Sequence, residues 1–250
     1  MNRVVLITGA NNGIGLAITN SLIEMGDRVA ALDLSLENLK SHPNLFSQVC
    51  DVTDTNRVKS VVDEVVQMWD SVDIVINNAC LAIFEPFMER CLDETRREFE
   101  VNYFGYLNVI KAVLPVMQKQ RHGVIHNFSS GVGITGYPGI SGYASTKGAI
   151  ESLTRTLALE LSDFGITVNL MHPPLTRTKS ALPLRVPLEI MADPNEVGRK
   201  LAKKVGRTNP IITPDFGSDL GIVAMRYFPD AMGRFLSSMA KRVQTQKPRF

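Results

Sequence analysis

The chain has 250 residues, of which 44% are hydrophobic and 21% charged, and it carries a net charge of +2. That length suffices for one sizeable domain with a full core, and the near-balanced charge lacks the basic stripe that a nucleic-acid partner requires. No apolar run approaches the roughly 18 residues of a membrane span, and Cys50, Cys80 and Cys91 are odd in number and unclustered. They read as reduced thiols of a cytoplasmic protein, with neither a disulfide framework nor a metal site.

In chain order, RVVLIT (3–8) reads as a strand, too short for a signal-peptide core, leading straight into the glycine-rich turn TGANNGIG (8–15). Ile14, Ile18, Leu22 and Met25 then recur at helical spacing and stop at Gly26. Further strands are predicted at RVAALD (28–33), LFSQVC (45–50), VDIVIN (72–77), GVIHNF (123–128), ITVNLM (166–171) and PIIT (210–213). Between them, Val58, Val61, Val62, Val65 and Val66 mark one helix, and Leu153, Leu157 and Leu161 mark another that stops before Gly165. Several strands are near-continuous Val/Ile/Leu runs, as parallel strands buried on both faces are. The alternation predicts an α/β protein: one Rossmann-like domain with a doubly wound parallel sheet of about seven strands, flanked by helices. The segment 173–194 holds five prolines and is expected to be irregular, with a substrate lid at about 175–193. A helical extension is expected at about 215–245. His126, in mid-strand, is expected to be a packed histidine.

Chemistry first becomes legible at the first turn. Gly9, Gly13 and Gly15 let the backbone bend sharply and let a pyrophosphate approach the helix N-terminus, where free N–H groups and the dipole attract anions. The spacing is G-x-x-x-G-x-G, and an unliganded turn of this composition is the plain alternative. Asp33 follows 18 residues after Gly15, at the carboxyl end of the second strand. A carboxylate there can accept hydrogen bonds from an adenine ribose and would repel a 2′-phosphate, and neither Asn12 nor Leu34 offers a cation to hold one. NAD(H) is therefore favoured over NADP(H).

These residues resemble the short-chain dehydrogenase/reductase family over roughly the first 180 positions. TGANNGIG resembles its TGxxxGIG turn, CDVTD (50–54) its adenine-side Asp-Val pair, and NNAC (77–80) its NNAG, with Cys80 where glycine is usual. VNYFG (101–105) carries the family's helix asparagine, Ser130 precedes Tyr143 by 13 residues, and YASTK (143–147) fits YxxxK. The resemblance implies cofactor contacts at Gly9, Asn12, Gly13, Ile14, Gly15, Asp33, Asp51, Val52, Asn78, Ala79, Tyr143, Lys147, Pro173, Thr176 and Thr178. It implies a catalytic set of Asn102, Ser130, Tyr143 and Lys147, with Asn102 holding a water that links Lys147 to solvent.

GITGYPGISGYASTKGAI (133–150) holds two tyrosines, and spacing separates them. A phenol has a pKa near 10, and a nearby ammonium lowers it. Lys147 follows Tyr143 at i+4, on the same helix face, whereas Tyr137 sits before a Pro-Gly turn with Ser141 at i+4. Tyr143 is thus the acid–base candidate, and Tyr137 is assigned to the substrate pocket or to loop packing. Ser129 and Ser130 end the fifth strand and point to opposite faces; periodicity leaves open which meets the cleft, and the family spacing carries Ser130.

The chain departs from the family at HPPLTRT (172–178), where Pro174 replaces the glycine of P-G-x-x-x-T. That form weakly resembles lipid-acting members such as 3-ketosphinganine reductases, which usually use NADPH, at odds with Asp33. Leu182, Leu184, Val186, Leu188, Ile190 and Met191 make an apolar lid candidate, with Leu182 assigned to substrate, and suggest a lipophilic secondary alcohol or ketone; a loop packed on its own domain is the alternative. Met232, Phe235, Leu236, Met239 and Val243 recur at helical spacing beside Arg234, Lys241 and Arg242. That stripe reads as core or dimer contact, in a homodimer or homotetramer, with a basic membrane-facing helix less favoured. The leading function is an NAD(H)-dependent oxidoreductase on a small alcohol or ketone, with no metal. The alternatives are a non-catalytic dinucleotide sensor and an NAD-using epimerase or dehydratase.

Overall fold

Seven strands lie side by side in a single parallel sheet of order β3-β2-β1-β4-β5-β6-β7. They are β1 (Val4–Thr8), β2 (Arg28–Asp33), β3 (Leu45–Val49), β4 (Ile74–Asn77), β5 (Gly123–Phe128), β6 (Ile166–Met171) and β7 (Ile211–Ile212). The computed structural model describes residues 2–184, 186 and 188–245. The helices are α1 (Gly13–Glu24), α2 (Thr55–Trp69), α3 (Leu92–Phe99), α4 (Gly105–Gln120), α5 (Val132–Thr135), α6 (Ser141–Glu160), α7 (Pro194–Ala202), α8 (Phe216–Tyr227) and α9 (Pro229–Thr245). This is the α/β, Rossmann-like arrangement that the strand–helix alternation predicts.

Alternation along the strands divides the core in two. Val4 and Leu6 point to one face of the sheet, where Val58, Val61, Val62 and Val65 of α2 and Val109 and Val113 of α4 cover them. Val5 and Ile7 point to the other, under Ile14, Ile18 and Leu22 of α1 and Val197 and Leu201 of α7. All these side chains are at most 9% exposed, so β1 is apolar at successive positions because both faces are dry. Capping fixes where helices begin: Asp54 accepts from Arg57 N at 2.9 Å to start α2, and Asp193 accepts from Asn195 N and Glu196 N to start α7.

The strand order reverses direction at β1, with β2 on one side and β4 on the other. Their carboxyl ends there open a crevice, the usual ligand position in such sheets. His126 is buried within β5; its Nδ1 faces Asn169 Oδ1 at 2.5 Å and its Nε2 accepts from Gly206 N at 2.9 Å, so it is a packing residue. Residues 216–245 form α8 and α9 where a helical extension is expected, and the side chains of Met239, Lys241, Arg242 and Val243 lie outside the described residues. None of the described helices is long and apolar enough to cross a membrane.

Candidate active site

A cavity of about 1380 Å³ runs along the carboxyl ends of the strands, from the glycine-rich turn to the segment after β6. At one end the turn is built against β4. Thr8 Oγ1 accepts from both Asn78 N and Ala79 N at 3.1 Å, and Asn78 Nδ2 donates to Thr8 O and Gly9 O at 3.1 and 2.9 Å. A Cβ on Gly15 would stand 2.0 Å from Gly9 O, and Gly9 itself has φ +66°, so this close, left-handed bend admits only glycine. Asn12 starts α1 without a side-chain cap, and the first turn carries no acidic residue. The N-terminal donors are therefore left for an anion.

Asp33 borders the cavity with Leu34, and its Oδ2 accepts from Asn11 N at 2.8 Å. Asp51 and Val52 line the same end. Asn12, Gly13, Ile14, Asn78, Ala79, Pro173 and Thr176 also face it, and the methyl of Thr178 lies over Gly13. A dinucleotide fits this donor set: a carboxylate for a ribose, free helix N–H groups for a pyrophosphate, and no side chain crowding the bend.

At the centre Ser130, Tyr143 and Lys147 share the cavity wall. Lys147 is only 2% exposed, and its ammonium donates to Phe128 O at 2.8 Å and Tyr106 OH at 3.3 Å. It stands 5.6 Å from the centre of the Tyr143 ring and 5.2 Å from that of Tyr106. Burial lowers the Lys147 pKa. The balance at Tyr143 differs from the expected one. Burial pushes the phenol well above its ordinary value, and the Ser130 hydroxyl beside it pulls only partly back. Desolvation outweighs the expected effect of the ammonium, which hydrogen-bonds the Phe128 carbonyl and the Tyr106 hydroxyl. Tyr143 is accordingly a protonated phenol here.

Both serines at the strand end border the cavity, but they differ in their neighbours: Ser130 stands beside Tyr143, whereas Ser129 is buried and lies against Glu151. Asn102 is held by direct hydrogen bonds. It lies in a π-helical turn, Glu100–Phe104, is fully buried, and donates to Leu81 O at 2.8 Å and Thr146 Oγ1 at 3.0 Å while accepting from Leu81 N at 2.7 Å. Its side chain braces the loop after β4 and does not engage Lys147.

Towards the far end Tyr137 lines the cavity, and so do Phe84, Leu184, Val186 and Ile190. Leu182 does not: it is 51% exposed and lies off the wall, because the short helical turn Leu182–Leu184 directs Leu184 inward instead. Sequence reasoning missed Tyr106, although its place four residues after Asn102, one helical turn on, is a usable signal. It also missed the wall supplied by Ile222 and Met225 of α8, which no local motif marks.

The family model of the short chain dehydrogenases matches residues 3–186. The chain belongs to this family. It is 34% identical to the 3-oxoacyl-[acyl-carrier-protein] reductase FabG of Thermotoga maritima, across 88% of this chain and 98% of that relative. A short-chain dehydrogenase from Streptomyces avermitilis superposes with a TM-score of 0.80 at 26% identity, covering 99% of both chains. NAD+-bound xylitol dehydrogenase superposes with a TM-score of 0.76 at 30% identity, covering 85% of this chain and 95% of that one. The family match places the motif residues above in an oxidoreductase of the short chain dehydrogenase type.

Proposed function

We propose that this short chain dehydrogenase interconverts an apolar secondary alcohol and its ketone with NAD(H). The observation that carries the reading is the meeting of Ser130, Tyr143 and Lys147 in one cavity with the Asp33 end of a dinucleotide cradle. Bound nicotinamide would supply or accept the hydride. Gly9, Gly13, Gly15 and the start of α1 would receive the pyrophosphate, with Asp33 on the adenine ribose and Asp51 and Val52 beside the base.

The chain's own residues manage the proton. Tyr143, a neutral phenol in its buried setting, donates its proton to a carbonyl oxygen in reduction and takes it back in oxidation. Ser130 hydrogen-bonds the same oxygen and steadies the charge that develops on it. Lys147, held by Phe128 O and Tyr106 OH, offsets the negative charge left on the phenolate. Tyr137, Phe84, Leu184 and Ile190 exclude water around the carbon skeleton, which supports a lipophilic substrate.

Asp33, with its Oδ2 oriented by Asn11 N, supports NAD(H) over NADP(H). The test is turnover of a panel of ketones and alcohols with NADH, NADPH and their oxidised forms, followed by cofactor absorbance. Reduction of medium-chain or cyclic ketones with NADH ahead of small polar sugars is expected. Cofactor binding without turnover of any member would replace the reading with a dinucleotide sensor, and a wide preference for NADPH would overturn the cofactor assignment.

A further inference from the structure

A charged cluster that proton transfer does not use lies behind the reaction centre. Tyr143, Lys147 and Glu151 follow at four-residue intervals along α6 and so share one helix face. Glu151 is 4% exposed, and its Oε2 meets Arg226 Nη2 at 2.5 Å and Arg155 Nη1 at 3.4 Å. Its Oε1 lies 2.7 Å from His172 Nε2, close in distance but poorly aligned, since neither ring nitrogen of His172 makes a directed hydrogen bond. Burial alone would raise the Glu151 pKa, but His172, Ser129 and Arg226 outweigh it and bring it to about 2, so the carboxylate is charged.

Arg226 belongs to α8, and its neighbours in that helix reach the pocket. Met225 and Ile222 line the cavity. The sulfur of Met225 rests over Gly131, the residue after Ser130, where an added Cβ would stand 2.5 Å from it. The helix turn that carries the guanidinium is thus the turn that covers the residue next to the serine.

We propose that the Glu151–Arg226 ion pair docks α8 on the catalytic helix and thereby sets how large a substrate fits between Met225, Ile222 and Ser130. Glu151 and Arg226 are positioning residues in this scheme, which rests on the oxidoreductase reading above. The two partners are unequal. Removing Arg226 strips a buried carboxylate of its best-placed cation, whereas removing the charge of Glu151 leaves a guanidinium that is 28% exposed and can hydrate.

The test compares the parent with Arg226→Gln, Arg226→Lys and Glu151→Gln on methyl ketones of increasing chain length with NADH, alongside hydrogen exchange of the cofactor-free protein. Arg226→Gln should change KM for the longest ketones about tenfold while the shortest ketone and NADH affinity stay within about twofold, with Arg226→Lys recovering most of the loss. Amides of 216–227 should exchange faster in Arg226→Gln while those of α6 hold. Uniform kinetic effects across chain lengths, or unchanged exchange in α8, would overturn the proposal. Should Arg226→Gln fail to fold, Glu151→Gln makes the same comparison with a smaller expected change. If the parent reduces no ketone, the oxidoreductase reading fails, and the exchange measurement still decides whether the pair docks α8.

Discussion

The two ends of the cavity are built by different physics. The dinucleotide end is made largely of backbone: Thr8 and Gly9 are tied to Asn78 and Ala79 by hydrogen bonds, and Gly15 packs on the Gly9 carbonyl too closely for any side chain. The substrate end is made of side chains on α8 and on short turns, some of them half exposed, such as Ile190 at 53%. A backbone site accepts one residue type at each position, so it leaves a readable motif. A side-chain wall accepts many apolar residues, so it can change substrate without changing fold.

The sharpest way to break this contrast is at the hinge between the ends. Tyr143→Phe should lower kcat roughly a thousandfold while NADH affinity, followed by fluorescence titration, stays unchanged; Tyr137→Phe should do far less. Equal losses in the two variants would mean that the geometry has been assigned to the wrong tyrosine. Next, Gly15→Ala should destabilise the fold by about 3 kcal/mol or abolish cofactor binding, since the added methyl meets the Gly9 carbonyl. Urea unfolding with and without NADH separates these two results.

The sheet beneath both ends carries its own pH signature. Burial holds the His126 pKa down to about 4, against an ordinary 6.5, although Asn169 opposes the shift. Between those values the unfolded chain binds the proton and the folded chain does not. The stability contributed by neutral His126 is therefore complete above pH 6.5 and falls as pH drops towards 4, by roughly 3 kcal/mol in all. Unfolding midpoints that stay flat from pH 7 to pH 4.5 would contradict this.

Smaller effects sharpen the comparison. Asp33→Ser should narrow the ratio of kcat/KM for NADH over NADPH by about tenfold, through loss of the repelling carboxylate. At the substrate end, Ile190→Ala should raise KM for a long-chain ketone a few-fold, roughly the worth of one or two buried methylenes, while Leu182→Ala changes it little. A larger effect from Leu182 would return that residue to the pocket wall.

The same contrast explains what could be read in advance. All seven strands were legible because apolar runs bounded by turns leave few alternatives, and β3 ends one residue earlier than predicted, at Val49. Tyr143 and Lys147 were legible because one helical turn separates them. Tyr143's protonation was not, because it depends on burial from several elements, which no local spacing encodes. Asn102 was legible in position, but its hydrogen bonds to Leu81 were not, since that loop is distant in sequence. Arg226 could not be paired with Glu151, because 75 residues separate two charges that only the folded sheet brings together.

The segment after β6 has its two feet joined. Thr176 and Ala192 form a parallel bridge, Arg177 N donates to Ala192 O at 2.9 Å, and Ala192 N donates to Leu175 O at 2.9 Å. A loop closed at its base in this way is a cassette: the stretch from 179 to 191 can be exchanged for a sequence of another length while the sheet, the cradle and α7 keep their places. Transplanting that stretch between relatives is therefore a direct route to new substrate ranges, with the join made at a pair of residues the fold already clasps.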